Sequence, residues 1–386
     1  MDSRHRPAPS RSGWIALAVC ASILAAGCSD DPGEPKPAPT PVREYWNGTF
    51  VDAADAGHRG ALFLDLTTTG TEIGGEIVLK SWSDDVILQR LFLAGSATED
   101  TLDLQLDTEA VPYEFTFDLQ LVRDAGSALT GRFDFPAVSL TADVACEELA
   151  VQPITVLRSF DLEARGLQAI GLAHDGTQLW ISTLADYWRM DAAGDLIDDL
   201  IVEFHGARWS SDVLTVAGDT LWGHLPATIQ DGSGTRNVSL IIEFTSDGDI
   251  TGEYYLPHRS TGLATDGSRL WSLESGTGRV YRFDDSGAIL ESFEVAIPDL
   301  VDLEFDGASF WAIGWFSRKL FQFDPTGRIL AAYRLPEEAD ITVFPQAIAW
   351  SGTSFWYCHG TIALDSRLYE LSTSPEAAGI HSWHGN

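Results

Sequence analysis

The sequence predicts an all-β chain: an eight-stranded antiparallel barrel or sandwich, then a five-bladed β-propeller of four-stranded blades. Five times the second half writes a short apolar strand, a small turn and an apolar residue followed by Trp. The turns are Asp175-Gly176, Ala217-Gly218, Asp266-Gly267, Asp306-Gly307 and Ser351-Gly352. The tryptophans Trp180, Trp222, Trp271, Trp311 and Trp356 are 42, 49, 40 and 45 residues apart by subtraction. A period in the forties with several short strands per unit marks a propeller rather than a helical solenoid. The first half instead alternates apolar and polar residues with period two, and no helical periodicity interrupts it.

In chain order, residues 1–27 read as a signal segment. Arg4, Arg6 and Arg11 precede an apolar run, Trp14 to Ala26, that is too short to span a bilayer comfortably. The run ends in Leu24, Ala25, Ala26, Gly27 and Cys28. This resembles the lipobox of bacterial lipoproteins and implies a lipid on Cys28. Ser29 after the Cys leans the expectation toward the outer membrane. Residues 28–42 are rich in Pro and polar residues and read as an extended tether.

Residues 43–150 hold eight alternating segments, near 45–53, 59–68, 71–80, 85–95, 100–107, 112–122, 127–134 and 137–145. Leu62, Leu64 and Leu66 alternate with Phe63 and Asp65, as Leu102, Leu104 and Leu106 do with Asp103 and Gln105. Such a meander has one apolar face and closes into a barrel or packs as a sandwich. Trp46, Asn47 and Gly48 at its start, with Gly74-Gly75 and Thr130-Gly131 later, are similar in pattern to lipocalin-like and avidin-like barrels. The interior is expected either to be filled or to hold a small apolar ligand.

Residues 151–386 carry the five repeats. A second turn follows each inner hairpin, clearest at Asp191 to Gly194, Asp284 to Gly287 and Asp324 to Gly327. Asp before Gly suits Asx-type turns, with Gly taking positive φ. The fifth unit runs out of chain after Leu371, so Val156 to Leu162 is expected to supply its outer strand and clasp the ring. Cys146 and Cys358 flank that clasp and could pair as a disulfide or remain as two buried thiols. Leu225 to Asn237 is the longest insertion, expected as a loop.

The formal net charge is -33, and only three of the 24 Lys and Arg are Lys: Lys36, Lys80 and Lys319. So acidic a chain disfavours nucleic acid and anionic membrane surfaces as partners. Candidate binding residues lie in the loops after the second and fourth strand of each blade, which gather on one face: His205, Trp209, Asp212, His224, His258, Glu274, Asp302, Trp315, Gln346 and His359. His and carboxylates around one mouth could ligate Ca²⁺ or Zn²⁺, or hold a polar ligand. Asp231 to Gly234 and Asp247 to Asp249 carry part of a calcium-loop pattern.

The repeated Asp-Gly turn before Trp, with the second Asp-to-Gly turn, resembles bacterial propellers of the NHL, YncE-like and gluconolactonase-like group. It is also similar to the five-bladed glutaminyl cyclotransferases. The resemblance covers roughly residues 155 to 372 and implies blades. No catalytic motif of either enzyme group is matched, nor any nucleophile-elbow, phosphate-loop or zinc-protease pattern. The favoured expectation is a lipid-anchored envelope protein that binds a protein, peptide or glycan on the propeller's top face. An enzyme of cyclotransferase-like or metal-dependent lactonase or hydrolase type, and a purely structural envelope protein, are the alternatives.

Overall fold

The computed structural model describes residues 39–82, 88–124, 127–231, 234–336, 340, 342–361 and 366–374. The signal segment, Cys28 and most of the tether lie outside them. Strands β1 (Val42–Asp52), β2 (Arg59–Thr69), β3 (Glu72–Ser81), β4 (Leu88–Ala97), β5 (Thr101–Leu106), β6 (Asp118–Arg123), β7 (Ala128–Phe135) and β8 (Leu140–Glu148) close into a barrel in sequence order. β1 pairs with both β2 and β8, so no edge is left open. The period-two residues point inward as expected: Trp46, Phe50, Leu62, Leu64, Leu66, Phe117 and Phe133 belong to one continuous buried cluster. The interior is therefore occupied by side chains. The sixth strand is shorter than the segment expected at 112–122. Tyr113 and Phe115 pack against the core from outside the strands instead, and the Tyr113 hydroxyl accepts the Phe92 amide at 2.9 Å.

Two short strands join barrel to propeller. β9 (Val151–Pro153) runs parallel to the outer strand Ile329–Arg334 and gives the fourth blade a fifth strand, which the repeats did not announce. β10 (Thr155–Asp161) pairs with Ser366–Ser372 and supplies the outer strand of the fifth blade. The expected clasp is present. The inner strands of the five blades are Gly171–His174, Leu214–Ala217, Ser260–Thr265, Leu300–Phe305 and Val343–Trp350.

The repeated motif has a physical cause. In the first blade Asp175 Oδ1 accepts the Thr177 and Gln178 amides, both at 2.8 Å, while Oδ2 accepts the Trp180 indole N–H at 3.0 Å. Asp306 repeats this with Ala308, Ser309 and Trp311. One carboxylate thus closes the turn and satisfies the buried indole. The five glycines at these turns have φ between 59° and 96°, which a side chain would oppose. In the third blade Arg282 takes Asp266 Oδ2 and lies 5.3 Å from the Trp271 ring.

One expectation is corrected, and one of two open alternatives is found. Leu225 to Asn237 is no loop: Thr220–Asp231 and Gly234–Thr245 pair along their length as a ribbon projecting from the second blade. The extra residues keep strand alternation, so the hairpin lengthens instead of bulging. Cys146 and Cys358 are free and buried, in two different hydrophobic clusters, so the pairing is not formed.

The outer wall of the barrel docks on the fourth blade. Tyr45 and Phe63 face away from the barrel interior and join a core with Phe321 and Val295; the Phe63 and Phe321 rings are 6.0 Å apart. Lys319 Nζ sits over both rings, 5.1 Å from Tyr45 and 5.9 Å from Phe63, and 3.6 Å from Asp65. Glu76 holds Arg90 by two bonds of 2.8 Å and Arg318 at 3.3 Å. Phe63→Ala should cost about 3–5 kcal/mol and should separate barrel from propeller unfolding. Urea melts followed by both fluorescence and circular dichroism check this; a single unshifted transition would contradict it.

Candidate functional site

A cleft of about 710 Å³ opens on the face predicted from the loop pattern. Its walls come from the loops before and within the third and fourth blades: Pro257 to Arg259, Glu274 to Thr277, Pro298 to Val301 and Trp315. Thr235, Arg236 and Asn237 of the ribbon and Lys80 at the end of β3 complete it. Three predicted residues, His258, Glu274 and Trp315, therefore meet here. The sequence reading missed Lys80, because only the docking of the barrel brings β3 to this face.

Each wall is held by specific chemistry. The buried Asp299 carboxylate accepts the Phe316 and Ser317 amides, both at 2.7 Å, and the Ser317 hydroxyl at 3.1 Å. Burial raises its pKa, and these bonds work against that rise. They fold the turn that presents Trp315, whose ring packs on Phe316 and Phe344 at 4.9 and 5.4 Å. Trp315 stays 36% exposed and offers the cleft a fixed aromatic surface. Glu274 accepts the Thr277 hydroxyl at 2.8 Å and the Tyr281 hydroxyl at 3.1 Å. Gly276 has φ 74°, and a Cβ there would lie 2.7 Å from Lys80 Cε, so the glycine leaves room for the lysine tip.

His258 has a defined tautomer. Ser260 donates its hydroxyl to Gly262 O at 3.0 Å, and Ser272 donates its own to Ser260 Oγ at 2.9 Å. Ser272 Oγ can then only accept from His258 Nε2–H, 3.0 Å away. Burial pushes the His258 pKa down to about 4, so the ring is neutral at pH 7. Nδ1 is left as an acceptor, with no partner among the described residues.

A second polar chain runs beside it. His224 Nε2 lies 2.8 Å from Asp212 Oδ1, and His224 Nδ1 lies 3.1 Å from Ser239 Oγ. Asp, His and Ser in that order invite comparison with a hydrolytic triad, but the burial is inverted. Asp212 exposes 64% of its side chain, His224 exposes 2%, and Ser239 is 0% exposed. The hydroxyl cannot meet a substrate in this state. Ser239 Oγ instead accepts the Ser260 amide at 2.9 Å, tying the second blade to the third. Burial raises the Asp212 pKa, but the His224 hydrogen bond and the charges of His224 and Arg259, with a backbone hydrogen bond, together outweigh it and leave it below the usual carboxylate range.

Other predicted residues are corrected to structural positions. Asp302 is 2% exposed, with φ 54°; its carboxylate accepts Leu303 N at 2.9 Å and Ile348 N of the fifth blade at 2.7 Å. Burial raises its pKa well above normal, and it fastens two inner strands rather than facing a ligand. His359 is 1% exposed and stacks on Tyr369 at 5.6 Å. Trp209 packs between Tyr187 and Phe244. His205 is exposed at the tip of a small ribbon, against Phe204 at 4.1 Å, and does not line the cleft. Gln346 lies half-buried at a register shift between Pro345 and Ala347. Among the described residues, no three His, Cys, Asp or Glu converge as metal ligands. Asp247 to Asp249 instead forms a turn closed on Thr245, whose Oγ1 accepts both aspartate amides.

On the inner strand of the fourth blade, burial raises the Glu304 pKa to about 8, although the Phe305 amide at 3.1 Å favours its anion. The folded state keeps this proton where the unfolded chain, with a value near 4.5, has lost it. Stability contributed by the group therefore falls as pH rises between these values. Glu304→Gln should raise the melting temperature more at pH 8 than at pH 4.5; an equal gain at both would refute the assignment.

No family model matches this chain, and no curated protein matches it. Among solved structures it is similar to a glutaminyl cyclase from Myxococcus xanthus, at 15% identity and a TM-score of 0.44, covering 58% of this chain and 97% of that one. It is also similar to BamB from Moraxella catarrhalis, at 12% identity, a TM-score of 0.29 and 83% coverage of each chain. Regucalcin from Agrobacterium tumefaciens is similar at 11% identity and a TM-score of 0.34, covering 67% of this chain and 88% of that one. At such values the barrel and propeller rest on the chain's own sheets, and the site on its own residues.

Proposed function

We propose that this chain is a binding protein whose ligand, a protein, peptide or glycan, seats in the top-face cleft. The observation that carries the reading is the construction of that cleft. Barrel, ribbon and two blades each contribute a wall, and Asp299 holds the Trp315 surface in place before any ligand arrives. Preformed concave sites with an aromatic surface and a few placed polar groups are typical of binding sites. The inverted burial of Asp212, His224 and Ser239 supports binding over a serine-nucleophile reaction.

Arrays of immobilised peptides and glycans, probed with the wild-type chain and with Trp315→Ala and Glu274→Gln, test this reading. Ligands retained by the wild type should be lost or weakened about ten-fold by Trp315→Ala. Retention unchanged by both substitutions would place the binding elsewhere and end the proposal.

The same reading takes Cys28 as lipid-bearing and residues 28–42 as the tether, which puts the protein in the cell envelope, at the outer membrane where the cell has one. Its support is the sequence pattern alone. Radiolabelled palmitate should enter the wild-type chain and not Cys28→Ser; equal labelling, or none, would refute the anchor.

A further inference from the structure

We infer that the ligand is an extended peptide carrying acidic and apolar residues in alternation, which adds as a strand to the free edge of the projecting ribbon. The inference rests on the binding reading above and names the ligand of that same cleft.

The first observation is an open edge. Ser239 to Phe244 pair on one side with Ile250–Leu256, and that pairing stops at Ser239 opposite Leu256. Beyond it, Thr235, Asn237 and Val238 pair only with Gln230, Thr228 and Ala227, on the other side of the ribbon. Among the described residues no strand pairs with them on the free side. The outer strand ends at Leu256, the chain bends at 257 and 258, and Pro257 has no N–H with which to continue the ladder. An exposed edge of this kind is a template for an added strand.

The second observation is what flanks the edge. Successive side chains of a strand face opposite sides. Thr235 and Asn237 share one side and line the cleft. Ile229, the cross-strand partner of Arg236, faces the other side and lines a separate groove of about 390 Å³ with Tyr255, Leu256 and Ile289, and the long Arg236 side chain borders both cleft and groove. An added strand would therefore send alternate side chains into the cleft and into the groove. The groove is apolar, and Tyr255 and Ile289 are 54% and 48% exposed there. Scattered apolar exposure is ordinary, but here it is gathered beside an open edge.

The third observation is charge. In a chain of net charge -33, Lys80, Arg236 and Arg259 come together around this cleft. Of the two acidic side chains lining it, Asp299 accepts two amides and a hydroxyl, and Glu274 accepts two hydroxyls. The general field of the protein repels acids, and the cation cluster is a local exception. Carboxylates on the cleft side of the peptide meet the exposed Arg259, and aliphatic residues on the groove side meet Tyr255 and Ile289. His258 Nδ1, an acceptor lacking a donor, is suited to a peptide N–H.

Fluorescence anisotropy with a labelled, capped peptide of alternating Glu and Val tests this on the full chain carrying Cys28→Ser. The peptide should bind, and its Gln-for-Glu analogue should bind about ten-fold more weakly or worse. An analogue with alternate backbone nitrogens methylated should lose binding in at least one of the two methylation registers, because strand addition needs its N–H groups. Arg259→Gln should weaken the Glu peptide and leave the Gln analogue unchanged, while Ile289→Asp should weaken both. Arg259 and Ile289 are surface positions, so each variant is expected to keep the wild-type melting temperature. Absence of Glu–Val binding at millimolar peptide, or full affinity of both methylated peptides, overturns the inference. So does a trigalacturonate that binds while the peptides do not, which would make the ligand an acidic glycan. In those cases array ligands still dependent on Trp315 would leave the binding reading standing; array ligands indifferent to Trp315 would remove both.

Discussion

A buried ammonium, that of Lys319, ties the two halves of this protein together. It is 1% exposed, sits over the Tyr45 and Phe63 rings, donates to Ser317 O at 3.0 Å and lies 3.6 Å from Asp65. Removing such a charge from water is costly unless partners surround it. Here the partners come from both domains, so the cost is offset only when barrel and fourth blade are docked. The turn that carries Lys319 also carries Trp315, and Asp299 holds that turn. The same few residues that fasten the barrel thus shape the cleft, and the barrel in return delivers Lys80 to it.

The blades rest on a different economy. In the first and fourth blades the Asp at the inner turn caps two backbone amides and receives the indole N–H of the following Trp. Side chains then stitch blade to blade. Ser239 accepts the Ser260 amide, and Asp302 accepts the Ile348 amide. Such bonds place polar and even acidic groups deep in the ring, so residues that resemble a reactive set in the sequence serve as fasteners in the fold.

That distinction bears on how a ligand would be recognised. The cleft combines a fixed aromatic surface, a cation cluster and an imidazole whose protonation is set by a serine chain. A preorganised site of this kind loses less ordering entropy on binding than one that must assemble. The open edge of the ribbon adds main-chain donors and acceptors beside it, so specificity and affinity can come from different atoms.

The sequence by itself determined the architecture. Period two placed Leu62, Leu64 and Leu66 inside the barrel, the Trp spacing set five blades, and the orphan strand after residue 155 closed the ring. These features are local or periodic, and short-range chemistry is enough to write them. Loop position also brought His258, Glu274 and Trp315 to one cleft. Only the tertiary structure decided which candidates reach solvent. Asp212, His205 and Trp315 do, whereas Asp302, His359, Trp209 and His224 turn inward and pack or hydrogen-bond within the ring. Lys80 entered the site through docking between segments well over a hundred residues apart, and no local pattern records that. Burial and charge are properties of the packed surroundings, so they became legible only once the barrel met the fourth blade.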